Sequence, residues 1–214
     1  MASAKVPDAT VSRLVTYLRV LEEMERRGVR RTSSEELAEQ AQVTAFQVRK
    51  DLAYFGSFGT RGMGYSVPLL KRELRKILGL DRRWRIAIVG MGRLGQALAD
   101  YPGLSQGFEP VGFFDVDPEK IGKRVGSGVI EPLSKLDEAV RERGIELGLL
   151  TVPAEAAEEV AKRMVRAGIK GILNFTPAVI ETPPEVPVEN VDFLAGLSRL
   201  AYFVSRNIRE EWVG

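Results

Sequence analysis

The sequence predicts an α/β protein. An N-terminal winged helix-turn-helix domain precedes a C-terminal doubly wound parallel sheet of the Rossmann type, which ends in a long terminal helix. Three observations predict this. Residues 33–55 hold two short helix patterns, each opened by a cap residue, with a tight turn between them. Residues 85–175 alternate β-branched runs with helical patterns, and a G-x-G-x-x-G turn follows the first run. Residues 192–210 repeat apolar side chains at helical spacing. The expected divisions are 1–80, 81–190 and 191–214.

Pro7 to Arg27 carries Val11, Leu14, Val15, Leu18, Leu21 and Met24 at helical spacing, and Gly28 stops the run. Ser33 with Glu36 forms a capping box for a short helix bearing Leu37, Ala38 and Ala41. Gln42-Val43 is the turn. Thr44 with Gln47 reads as a second capping box, opening a helix over Ala45–Phe55. Phe46, Val48, Leu52 and Phe55 are expected to supply its buried contacts. Gln47, Arg49 and Lys50 are expected to point outward near its N-terminal end, where a recognition helix meets base edges. Arg reads guanine, and Lys suits guanine or phosphate. With Thr44 they form the candidate DNA-binding set. Gly56 to Tyr65 reads as a small hairpin with Arg61 among glycines at its tip, a wing able to reach a minor groove. A solvated helix face and a plain exposed loop are the competing readings of these cations. Pro68 opens a helix through Leu69, Leu70, Leu74 and Ile77 to Gly79, and residues 81–84 join the domains.

Arg85 to Val89 reads as a buried parallel strand. Gly90, Gly92 and Gly95 follow, with Met91, Arg93 and Leu94 between them. The first glycine allows the tight turn, the second lets a pyrophosphate approach, and the third lets the next helix pack on the strand. That helix, Leu94 to Tyr101, aims its free N–H groups at the phosphates. Glu109 to Phe114 is the second strand. Asp115 lies 20 residues after Gly95, where the pattern wants an acid for the adenosine ribose. This favours NAD(H), although Lys123 and Arg124 nearby leave NADP open. Leu133–Arg143 and Ala154–Ala167 read as helices, and Leu147–Val152 and Ile169–Phe175 as strands. Their carboxyl ends place Thr151, Val152, Asn174, Phe175 and Thr176 where a nicotinamide could rest. For the last three, ordinary turn residues is an equal reading. After the Pro-rich spacer Thr182–Pro187 comes the terminal helix, Asp192 to Glu210. It bears Phe193, Leu194, Leu197, Leu200, Ala201, Val204 and Ile208, and packs on its own domain or on a partner subunit.

The 214 residues contain no Cys and no His. Disulfides, thiolate metal sites and cysteine redox sensing are therefore excluded, and the commonest metal ligand and general base are missing. No run is long and apolar enough to span a membrane, and residues 1–10 lack a signal-peptide core, so a cytoplasmic location is expected. Residues 1–83 hold 16 Lys and Arg against 10 Asp and Glu, whereas residues 84–214 hold 15 against 19. Of the two halves only the front one has the balance of a polyanion binder, and on charge alone a mixed solvated surface is an equal reading. No Tyr-x-x-x-Lys pair and no strand-end Lys offers a proton where a hydride would move, so no enzyme activity is expected.

The stretches TAFQVRKDLAYFGSFGTRGMGY, VGMGRLGQALADYP, GFFDVDP and NFTPAVI span essentially the whole chain, and together they resemble the Rex family of bacterial redox-sensing repressors. The resemblance implies a homodimer with an exchanged terminal helix and NADH competing with NAD+ for one site. It further implies double-stranded operator DNA released when NADH predominates, and Arg19, Tyr101 and Asp192 within the switch between domains. Two rivals remain at this point: a dehydrogenase carrying an autoregulatory DNA-binding domain, and a sensor of another adenine nucleotide such as coenzyme A.

Overall fold

A computed structural model describes residues 6–60 and 63–211, with side chains up to residue 206. The chain divides into two units at Arg82/Arg83. That is two residues beyond the expected boundary, and the terminal helix belongs to the second unit.

The first unit holds α1 (Asp8–Arg26), β1 (Arg31–Thr32), α2 (Ser34–Ala41), α3 (Ala45–Ala53), β2 (Gly59–Thr60), β3 (Gly64–Ser66) and α4 (Val67–Ile77). Leu14, Leu18, Leu21, Leu37, Val48, Leu52, Leu70 and Leu74 close its core. Val11 and Val15 are 41% and 37% exposed, so the apolar stripe on α1 is narrower than its spacing implied. The capping box of α2 is complete. Ser33 Oγ accepts from Glu36 N at 3.0 Å, and Glu36 Oε2 accepts from Ser33 N at 3.0 Å. α2 ends on Gln42 in the left-handed region, φ 55°. The predicted hairpin is present, and β1 adds an unforeseen third strand in the order β1-β3-β2.

The second unit holds β4 (Trp84–Val89), α5 (Arg93–Ala99), β5 (Phe108–Asp115), β6 (Arg124–Val125), β7 (Gly128–Pro132), α6 (Leu136–Arg143), β8 (Leu147–Leu150), α7 (Ala154–Ala167), β9 (Gly171–Asn174), β10 (Val188–Asn190) and α8 (Phe193–Glu211). The sheet order is β10-β9-β8-β4-β5-β7-β6, with only β6 antiparallel. β4 is buried on both faces. Ile86 and Ile88 join Phe113 and Leu149 on one side, while Ala87 and Val89 join Leu136, Val160 and Met164 on the other. Strand order reverses between β4 and β8, which opens a crevice at their carboxyl ends. The β6–β7 hairpin is not among the elements that the sequence predicts. Between the spacer and the terminal helix, where the sequence predicts no element, β10 pairs with β9. Among the described side chains of α8 the large apolar ones stand open: Leu194, Leu197, Leu200, Tyr202, Phe203 and Val204 are 56–62% exposed.

Candidate functional site

The outward surface of α3 rests on one buried carboxylate. Asp51 is fully buried, which costs free energy unless donors compensate. Arg13 donates Nε to Oδ2 at 2.6 Å and Nη2 to Oδ1 at 2.7 Å. The Tyr17 hydroxyl donates to Oδ2 at 2.8 Å. Gln47 Nε2 and Thr10 Oγ1 donate to Oδ1 at 2.8 and 3.2 Å. Burial pushes the Asp51 pKa up, but the Arg13, Tyr17 and Gln47 donors outweigh it and hold the carboxyl below its ordinary value. Burial raises the Tyr17 phenol pKa, and Asp51 raises it further.

The opposite face of α3 presents Phe46, Arg49, Lys50 and Ala53, one helical stripe, all exposed. Arg49 and Lys50 stand outward as expected. Phe46 does not supply a core contact: it is 68% exposed, because Val48, Asp51 and Leu52 already fill the inward face. Gln47, expected to point outward, is half-buried and donates to Asp51 one turn on in the same helix. Its backbone N–H donates to Thr44 Oγ1 at 3.1 Å. Thr44 is therefore a single cap, not half of a box. Arg49 Nη1 donates to Ser34 Oγ at 2.8 Å and to Glu35 Oε1 at 3.0 Å, across to α2. Arg61 lies outside the described residues.

In the second unit the three glycines have different jobs. Gly90 has φ +100°, and a Cβ there would sit 2.7 Å from the Thr151 carbonyl. A Cβ at Gly95 would collide with the Gly90 carbonyl oxygen. A Cβ at Gly92 would meet nothing within 4 Å. The protein itself needs Gly90 and Gly95, and the space over Gly92 is open for a ligand. Met91 is fully buried, and Arg93 and Leu94 on the first turn of α5 are exposed.

One cleft is lined by Gly90, Gly92, Asp115, Asp117, Lys120, Thr151 and Val152. Asp115 ties it together. Oδ2 accepts from Met91 N at 2.7 Å and from Lys120 Nζ at 3.1 Å, and Oδ1 accepts from Asp117 N at 2.9 Å. Burial pushes the Asp115 pKa up, but the Asp117 and Met91 amides and Lys120 outweigh it and lower the value. A carboxylate has about four acceptor sites, so room for a further donor remains. The Thr151 hydroxyl lies 3.0 and 2.7 Å from the Val89 and Gly90 carbonyls and shares its proton between them.

Two of the expected ligand groups make hydrogen bonds within the chain. Asn174 is fully buried: its amide donates to Ala178 O at 2.9 Å and Asn190 Oδ1 at 2.8 Å. Its Oδ1 accepts from the Thr176 N–H at 2.9 Å and hydroxyl at 2.8 Å. Both side chains hold the turn after β9, and only Phe175 is partly open there. Asp192 Oδ1 accepts from Ala195 N at 2.9 Å and caps α8, and Phe193 is 70% exposed. Tyr101 is 59% exposed, and Arg19 is exposed on α1. Among the described residues no group of three or more Asp or Glu could hold a metal, and no helix is long and apolar enough to cross a membrane.

The chain is 65% identical over 211 residues to a redox-sensing transcriptional repressor Rex of Thermus thermophilus, covering 98% of this chain and all of that one. The chain belongs to the Rex family. Two family models agree with the division into units: "Putative DNA-binding protein N-terminus" matches residues 5–53, and "CoA binding domain" matches residues 81–178. Among solved structures, the repressor RSP in complex with NAD+ and operator DNA is 37% identical, with a TM-score of 0.91, covering 98% of this chain and 97% of that one. RSP in complex with NADH is 36% identical, with a TM-score of 0.90, covering 99% and 100%. The Rex-family fold predicted from the sequence is thus the observed one.

Two residues at these sites, Asp51 and Lys120, carry no local signal in the sequence, and a third, Phe46, is expected in the core but stands outside it. Phe46 obeys apolar spacing on paper. Asp51 is met by Arg13 and Tyr17, both distant in sequence. Lys120 is a nearer cation to Asp115 than the suspected Lys123 and Arg124, both of which are exposed.

Proposed function

We propose that this Rex-family chain is a transcriptional repressor that binds double-stranded operator DNA through α3 and leaves it when NADH predominates over NAD+. One observation carries the reading. The same chain bears an outward cationic helix face and a glycine turn whose only sterically open glycine faces the cleft. Gly90, Met91, Gly92, Arg93, Leu94 and Gly95 form the pyrophosphate turn, Asp115 takes the adenosine ribose, and Thr151 and Val152 flank the remainder. Phe175, and Phe193 from a partner, approach the nicotinamide end. A dinucleotide supplies the redox signal through its ring, which is charged when oxidised and neutral when reduced. The chain needs no acid or base for this, and we read it as a regulator, not an enzyme. The exposed apolar α8 fits exchange between two subunits, hence a homodimer. Arg19, Tyr101 and Asp192 serve the switch, and the site of action is the cytoplasm.

The match to the model described as "CoA binding domain" favours a second reading, coenzyme A. DNA-binding titrations with NADH, NAD+, NADPH and coenzyme A added separately test both. Release by NADH alone is the expected result, and release by coenzyme A alone would replace the first reading with the second.

A further inference from the structure

We infer that Phe46 is a sequence-reading residue that packs against the C5-methyl group of a thymine in the major groove. The inference rests on α3 being the helix that enters the groove. Phe46 is 68% exposed in the first turn of α3, whose N-terminal residues meet base edges in helix-turn-helix proteins. It shares one stripe with Arg49, Lys50 and Ala53, so whatever those cations face, the ring faces too.

A bare phenyl ring on a cationic surface gains little from water and nothing from phosphate. Fully burying a Phe side chain is among the larger apolar gains available to a protein. The inward face of α3 has no room for the ring, since Val48, Asp51 and Leu52 occupy it and four donor bonds from α1 fix its rotation. In the major groove the four base pairs present donors, acceptors and a single kind of apolar group, the thymine methyl. A ring at this place therefore finds its partner only over thymine. Arg49 and Lys50 supply hydrogen bonds and charge, and Phe46 adds a discrimination that neither cation can make.

The test uses the full chain and an operator duplex selected on it from random sequence. Each thymine is replaced singly by deoxyuridine, which removes the methyl and leaves every hydrogen-bonding edge intact. The variants are Phe46→Ala and, for the placement of α3, Lys50→Ala. Thermal melts confirm that both fold, as exposed positions should. At one thymine per half-site, deoxyuridine should weaken wild-type binding about fourfold, the worth of one buried methyl group. Phe46→Ala should lose affinity for the thymine duplex and no longer distinguish it from the deoxyuridine duplex. Lys50→Ala should weaken all duplexes alike and keep the distinction. Phe46→Ala that still tells thymine from deoxyuridine as the wild type does overturns the inference. Unchanged operator affinity in Phe46→Ala does so as well. Should Lys50→Ala also bind unchanged, the fault lies deeper, in the placement of α3 itself.

Discussion

Arg13 of α1 grips Asp51 of α3 with two parallel hydrogen bonds, Nε to Oδ2 at 2.6 Å and Nη2 to Oδ1 at 2.7 Å. This fork geometry is the strong form of the arginine–carboxylate pair. It fixes the helix that carries the outward stripe to the helix that carries Arg19.

Asp51→Ala should destabilise the first unit by about 3 kcal/mol, the lower end for breaking a buried pair, because Arg13 is about a quarter exposed and can rehydrate. The Tyr17 hydroxyl is then left buried without its acceptor. Urea unfolding followed by circular dichroism measures this. A loss below about 1 kcal/mol would mean that the network adds little beyond surface pairing.

Asp51 and Asp115 both have pKa values below their ordinary ones. The unfolded chain therefore takes up their protons first as pH falls. Their contribution to stability is complete above the ordinary carboxylate value of about 3.9, and it is lost as pH drops through the lowered folded values. Denaturant midpoints should be flat for these groups from pH 7 to about 5 and fall below about 4. In Asp51→Asn the acid slope should be shallower.

Gly92→Ala should leave the melting temperature unchanged and weaken NADH binding about tenfold or more, because the added methyl meets no atom of the chain within 4 Å and stands where the pyrophosphate would approach. Gly90→Ala and Gly95→Ala should each cost about 3 kcal/mol of stability through backbone strain or collision. Calorimetric titration and thermal melts on all three separate the two roles. Equal destabilisation by all three would contradict the assignment.

Glu35 competes with DNA for Arg49, since their ion pair must open or share before Arg49 reaches a base. Both partners are well exposed, so the effect is modest. Glu35→Gln should raise operator affinity by no more than about fivefold. The rise should shrink with added salt, as fluorescence anisotropy across a salt series would reveal.

NADH and operator DNA should oppose each other reciprocally. If NADH weakens operator binding by some factor, saturating operator must weaken NADH binding by the same factor, with typical couplings of about 1–3 kcal/mol. Fluorescence titration of NADH with and without operator measures it. An unchanged NADH affinity, with the protein still on DNA, would uncouple the two units.

Local signals were readable in the sequence. Ser33 and Glu36 complete a box within four residues, and the glycine turn lies between β4 and α5 as its spacing required. What depended on distant partners was not readable. Gln47 follows a cap rule on paper but is drawn away by Asp51, itself buried only because α1 brings Arg13 and Tyr17 to it. Asn174 and Thr176 carry polar groups at a strand end, and nothing local reveals that Asn190 and Ala178 satisfy them. β10 hides behind Pro187 because three residues in a polar run have no periodicity to detect.

The unequal demands on the glycines give the turn a kind of memory. Selection for a stable subunit alone preserves Gly90 and Gly95, whose replacement strains the backbone or brings it into collision. It is indifferent to Gly92, where a methyl group would disturb nothing in the chain. In a descendant that kept this subunit but lost its small molecule, position 92 would be free to drift while its two neighbours held. The middle glycine thus records whether a lineage still listens to a ligand, and the outer two record only that it still folds.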